Sequence, residues 1–249
     1  MLTVSIPVYD TPPEMVQRAV SSVLANDSVA RVIVTGDGQS PGIAPDDDRV
    51  LVWATGRNMG RYFVDDVVSR ACDTSHFTVH DADDWSDPGR LDACMAADVD
   101  VAYTRRVTHA LSGKTHVREP NHKPYGSLDV LWGCMAVYRT PLVRGLWHPG
   151  FRVSWDALLD QMGYRFAESR EYVRGVDYHI GRREGSLTQS PVTGLRTDYR
   201  REVGRVHARM WATMQTLGCD DTKQYLSRVT ADPVNALRDF EVTRLKALL

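Results

Sequence analysis

FTVHDADDWSDP, residues 77–88, runs from a short apolar stretch straight into four acids within seven positions, Asp81, Asp83, Asp84 and Asp87. The apolar part belongs to a strand over 76–80. Asp87 and Pro88 read as an N-cap and first-turn pair that starts a helix through Leu91, Cys94 and Met95. A strand that empties into clustered like charge and then a helix is half of a strand-helix-strand unit, and the rest of the first half repeats that unit.

Working outward, LTVSIPV (2–8), ARVIVT (30–35), RVLVWA (49–54) and DVAYT (100–104) read as further strands. Thr11, Pro12, Pro13 and Glu14 form a capping-box pattern ahead of a helix whose apolar stripe is Val16, Ala19, Val20, Val23 and Leu24. Gly60 opens another helix, with Val64, Val67, Val68 and Ala71 on one face. This alternation predicts an α/β protein with a mostly parallel central sheet flanked by helices. Residues 105–130 are polar and rich in His, Pro and Gly, as a loop over a site or an excursion hairpin would be. LWGCMAVY (131–138) reads as a strand returning to the sheet and SWDALLDQMG (154–163) as a helix ended by Gly163. From Thr197 the pattern turns helical, with Val203, Val206, Met210, Met214 and Leu217 as a stripe, and Pro233 begins a last helix. The expected organisation is a core over 1–195, divided at 104, and a helical C-terminal extension over 196–249, joined near Pro191 to Thr197.

The 249 residues are 43% apolar, enough to bury a core. A net charge of −2 gives no general attraction to nucleic acid or anionic membrane. Cys72, Cys94, Cys134 and Cys219 are too scattered for a zinc site or a disulfide framework, which leads us to expect reduced thiols in the cytoplasm. No stretch approaches the roughly 20 apolar residues of a membrane span, so no integral membrane segment is expected.

In open α/β sheets, ligands sit beyond the carboxyl ends of the strands, which is where the acid cluster lies. Asp81 and Asp83 are two apart, and in extended backbone they point the same way across Ala82. Two converging carboxylates repel unless a cation joins them. A hard divalent ion, Mn²⁺ or Mg²⁺, relieves that repulsion and usually binds through one or two carboxylates plus substrate phosphates. The competing reading is that these acids cap a helix and face water.

At this point the chain resembles family 2 glycosyltransferases of the GT-A fold, in which a strand delivers an Asp-x-Asp motif often continued as Asp-Ala-Asp-Asp. The resemblance covers roughly residues 1–190 and rests on several segments in order. SIPVYD (5–10) looks like the opening strand, so Pro7, Val8 and Tyr9 are expected at the nucleotide. VIVTGDGQS (32–40) resembles the second strand and its turn, which implies that Asp37 meets the uracil; turn chemistry alone also explains that acid. RNMGR (57–61) resembles the segment beside ribose and base, which brings in Asn58, Gly60 and Arg61, or else is a plain turn before a helix. Asp81 and Ala82 join them at the nucleotide, Asp81 and Asp83 at the metal. WGCMAVYR (132–139) resembles the acceptor-side strand, with Asp84, Trp132 and Gly133 expected toward acceptor or sugar; Trp132 serves equally as core. SWDALLDQMGYRF (154–166) resembles the helix carrying the catalytic base, which makes Asp156 the base if it is not a cap. REGSLT (183–188) resembles the loop closing over the diphosphate, with Arg182 or Arg183 as its cations.

The same resemblance divides the core into a nucleotide-binding half (1–104) and an acceptor-side half (105–195). Departures are visible too. The turn Gly36-Asp37-Gly38-Gln39 keeps one acid of two, Val64-Asp65-Asp66 stands where Ala-Arg-Asn is usual, and Arg183 replaces a frequent histidine. No Gln-x-x-Arg-Trp occurs, which favours transfer of one sugar per encounter. The implied activity is a metal-dependent inverting hexosyltransferase using a nucleotide-sugar, UDP-linked by preference. Its acceptor is a hydroxyl of a glycan, a lipid-linked intermediate, a protein or a modified nucleic-acid base. An inactive GT-A-like nucleotide-binding or scaffold protein is the alternative. A nucleotidyltransferase fits less well, because YDTPPEM lacks a Gly-rich phosphate loop and lysine. In the tail, Arg196, Arg200, Arg205 and Arg209 form a basic stripe that either grips phosphate or is a solvated face; the apolar side packs on the core or makes a homodimer.

Overall fold

The computed structural model describes residues 1–119, 136–183, 190–192, 194 and 197–249. Its centre is β1 (Leu2–Val8), flanked in parallel by β2 (Val29–Gly36) and β4 (His76–Val79), with β3 (Val50–Ala54) parallel beyond β2. The strands β1, β2 and β4 are almost wholly buried, as strands covered on both faces must be. Beyond β4 the sheet reverses. β8 (Ala136–Arg139) pairs antiparallel with β4 and with β6 (Val101–His109), and β9 (Arg170–Gly181) runs parallel to β6. The short β5 (Trp85–Ser86) closes that edge on β9. Among the described residues the order is β3-β2-β1-β4-β8-β6-β9-β5, with β7 (Thr115–Arg118) paired to β6 as a hairpin. The parallel part of the sheet, β3-β2-β1-β4, is therefore as the strand-helix alternation predicts.

On one face lie α1 (Pro13–Leu24) and α3 (Arg90–Ala96), packed on Leu2, Val4, Ile6 and Val8. On the other lie α2 (Arg61–Ala71), α5 (Trp155–Phe166) and three C-terminal helices, α6 (Asp198–Met214), α7 (Cys219–Val229) and α8 (Asp232–Lys246). A short α4 (Thr140–Val143) follows β8. Met210, Trp211, Met214, Leu226 and Leu245 share one apolar cluster with Phe63, Val67, Trp147 and Trp155. Arg238 of α8, 6% exposed, lies 3.7 Å from Asp66 of α2, whose other oxygen takes Arg70 Nε at 2.8 Å. Among the described residues no helix is long and apolar enough to cross a membrane.

Several local expectations are corrected. Thr11 does not cap α1: its hydroxyl donates to Tyr9 O, and Pro12 is the N-cap. The helix after the acid cluster starts at Arg90 behind Gly89 in the left-handed region (φ 74°), because the Asp87 carboxylate is drawn to β9. Helix α5 runs through Gly163 to Phe166. The glycine serves packing there, since a Cβ would stand 2.8 Å from the Tyr138 ring. The excursion after 104 is a hairpin as far as Glu119, and Trp132 and Gly133 lie outside the described residues.

Candidate active site

The carboxyl ends of β1, β2 and β4 come out on one edge of the sheet. At β1, Val8 is buried and offers its carbonyl, which accepts from Asp37 N (2.9 Å), while Tyr9 beyond it is 52% exposed. Pro7 is half-buried just before them. At β2, Asp37 is 3% exposed, and its carboxylate accepts backbone N–H bonds from Met59 (2.6 Å) and Gly60 (2.8 Å). Burial raises its pKa; those two amides oppose the rise. This acid therefore fastens the start of α2 to the end of β2. Gly38 makes the close approach possible: its φ is +81°, and a Cβ would lie 2.3 Å from Asn58 N. From the segment ahead of α5, Arg152 reaches Asn58 Oδ1 (2.6 Å) and Asn58 O (3.2 Å).

At β4 the chain turns rather than staying extended: Asp84 N–H donates to Asp81 O (3.2 Å), so Asp81 and Asp83 occupy a turn. Their side chains remain about a quarter exposed, 28% and 23%. Ala82 between them is buried. Burial raises the pKa of Asp83, and the charge of Asp81 raises it further. Each acid has an arginine partner: Arg61 Nη1 is 2.6 Å from Asp81 Oδ1, and Arg183 Nε is 3.1 Å from Asp83 Oδ2. Arg182 is half-buried beside it, its backbone N–H on His109 O (3.1 Å).

The third acid of the run behaves differently. Asp84, expected toward acceptor or sugar, is 1% exposed and anchors the turn to β9. It accepts from Tyr178 Oη (2.8 Å) and Gly181 N (2.9 Å), and burial drives its carboxyl far above the usual range. The same Tyr178 hydroxyl accepts from Asp81 N (3.1 Å). Asp87 takes Asp177 N and His179 Nε2, and Arg18 of α1 donates to Asp83 O (2.7 Å) while lying 4.1 Å over Trp85. So of the four acids, two are paired with arginines and two tie the turn to β9.

Asp156 sits in the first turn of α5, which no side chain caps. Its Oδ1 instead accepts from Tyr62 Oη at 2.8 Å. Arg61, next to Tyr62, is within electrostatic reach of Asp81, Asp65 and Asp156 together. Asp65, one helical turn on, is fully buried, accepts from Ser5 Oγ (2.9 Å) and lies 3.8 Å from Arg61 Nε. Its carboxyl is pushed up to about 7 by burial. Arg18, Tyr62 and Arg152 were not singled out from sequence, and Asp65 was noted only as a departure from the family pattern. Their partners lie 60–94 residues away, so no local spacing marks them. The basic stripe of α6 is partly neutralised where it is described: Arg205 pairs with Glu202 (2.6 Å), and Arg200 donates to Ser154 Oγ (2.9 Å).

The Asp81 and Asp83 side chains fit a divalent cation. They are hard oxygen donors, the charge of Asp81 acts against that of Asp83, and each is balanced by an arginine. Among the described residues no third His, Cys, Asp or Glu joins them.

Searches by sequence return no matching family model and no matching curated protein. The fold does match solved structures. Staphylococcus aureus TarS 1–349 superposes with a TM-score of 0.57 at 15% identity, over 72% of this chain and 60% of that one. Its complex with UDP-GlcNAc gives 0.58 at 15%, over 77% and 61%. GalNAc-T7 with UDP, GalNAc and Mn²⁺ gives 0.55 at 12%, over 77% and 46%. This chain has the GT-A fold, and it spans about three fifths of the TarS 1–349 chain.

Proposed function

We propose that the chain is a nucleotide-sugar glycosyltransferase, UDP-linked donors being favoured, that moves one sugar to a hydroxyl acceptor with inversion. The observation that carries this reading is the pairing of two acid centres through consecutive residues. Arg61 holds Asp81 at the end of β4, and Tyr62 holds Asp156 at the start of α5. A donor-side acid pair and a separate carboxylate are what an inverting transfer needs: charge is stabilised on the leaving diphosphate, and a base works on the opposite side.

In that reading Asp156 takes the proton of the acceptor hydroxyl while the hydroxyl oxygen bonds to the anomeric carbon. The bond from that carbon to the β-phosphate oxygen breaks, and the nucleoside diphosphate leaves with the electron pair. Asp81 and Asp83 would hold Mn²⁺ or Mg²⁺, which when bound supplies positive charge to the diphosphate. Arg61 and Arg183, once released from those acids, would bind phosphate oxygens. Tyr9, exposed at the end of β1, and Asn58 lie at the nucleotide edge, and Asp37 holds that edge in shape. The solved neighbours support the donor class: one carries UDP-GlcNAc, another UDP, GalNAc and Mn²⁺. The acceptor is a hydroxyl of a glycan, lipid-linked intermediate, protein or modified nucleic-acid base. A cytoplasmic setting and self-association through the C-terminal helices belong to the same proposal.

The deciding experiment is a thermal-shift panel of UDP-GlcNAc, UDP-GalNAc, UDP-glucose and UDP-galactose with and without Mn²⁺, repeated on Asp83→Ala. A Mn²⁺-dependent rise in melting temperature is expected for the wild type and none for the variant, whose own melting should be close to wild type. No stabilisation by any donor refutes the reading. Stabilisation without UDP release, with acceptors supplied, identifies a binding protein.

A further inference from the structure

We propose that Tyr62 is a positioning residue for Asp156, holding its carboxylate in the orientation that receives the acceptor proton. The inference rests on the glycosyltransferase reading above.

Tyr62 is 2% exposed, and its ring is stacked on Trp147 at 6.2 Å and 20°, itself packed edge-on against Phe77. Three rings thus fix where the phenol hydroxyl stands, and it stands 2.8 Å from Asp156 Oδ1. Burial, and then the negative charge of Asp156, keep the phenol protonated far beyond its ordinary range. It is a permanent donor. The final torsion of an aspartate is broad, so a carboxylate with no fixed partner samples many orientations. With Oδ1 committed to Tyr62, the other oxygen is the one left for the acceptor. Helix α5 makes no competing demand, since no side chain among the described residues caps it.

A merely structural hydroxyl would be expected to pair inside the core. This one pairs with a half-buried acid 94 residues away, across the boundary between the nucleotide-binding and acceptor-side halves. Its neighbour Arg61 does the same for Asp81.

Tyr62→Phe removes one oxygen and keeps the ring packing. UDP release is followed with whichever of the four UDP-sugars raises melting most, water or a hydroxyl acceptor taking the sugar. The expected outcome is a kcat about tenfold lower, with donor KM and melting temperature unchanged. Asp156→Asn should lower kcat by about 10²-fold or more, and adding Y62F to it should cost nothing further. An unchanged kcat in Y62F, a change confined to KM, loss of folding or an additive double variant each overturn the role of Tyr62 while leaving Asp156 as the base. Wild-type turnover in D156N overturns the base assignment and Tyr62 with it.

Discussion

Asp65 shows how one residue can look like a defect and still be informative. It stands where a basic residue is usual in the resembling family, it is completely buried, and its second oxygen has no hydrogen-bond donor among the described residues. Burial lifts its carboxyl to about 7; Asp81 and Asp156 push the same way, while Arg61 and Ser5 oppose. The folded value lies above the 3.8 of an exposed aspartate, so between roughly pH 4 and 7 the folded state keeps a proton that the unfolded chain has lost. Stability from this group is therefore complete at low pH and declines as pH rises to about 7. Asp65→Asn should remove that dependence, so the melting advantage of D65N over wild type should grow between pH 5 and pH 8, by roughly 5 °C. A constant difference across that range would show that Arg61 keeps Asp65 ionised throughout. At this scale the sequence was half legible. Asp81, Asp83, Asp37 and Asp156 could be named because motif order marks them. Arg152, Tyr62 and the anchoring use of Asp84 could not, because the sheet topology chooses their partners.

Among the elements, β1, β2 and β4 were readable as near-continuous apolar runs, and their helices as periodic stripes. Strand β9 was not: Arg170–Gly181 intersperses charged residues among its apolar ones without a clean alternation, carries Gly175 at φ +86°, and gains its partners only when β5 and β6 come alongside. Helix α7 was missed because CDDTKQYLSRV buries only Thr222 and Leu226. Helix α8 has a weak apolar stripe as well, and it docks on α2 through Arg238, which lies between Asp66 and Asp239. Replacing Arg238 by Ala leaves Asp66 with Arg70 alone inside the core. We expect a loss of about 2 kcal/mol, read as a melting temperature lower by roughly 5 °C, with donor affinity retained. A stability loss accompanied by lost donor binding would mean that α8 supports the nucleotide edge directly.

For the molecule as a whole, the C-terminal helices are continuous with the core. Met210, Trp211, Met214, Leu226 and Leu245 fill the same cluster as α2 and α5, and Arg165 of α5 donates to Met214 O and Leu217 O at the end of α6. A chain stopped after residue 195 should therefore lose cooperative melting rather than yield a smaller active transferase; a sharp transition in that fragment would make the extension a separable domain. Beneath those helices lies the start of α2, moored by Asp37 to the sheet and carrying Arg61 and Tyr62 side by side. A slip of that helix by one residue, about 1.5 Å along its axis, would displace the guides for leaving group and incoming nucleophile in the same direction at once. If the proposed transfer is the reaction, misalignment is thus correlated at both of its ends, and sliding that single rod cannot spoil one while sparing the other.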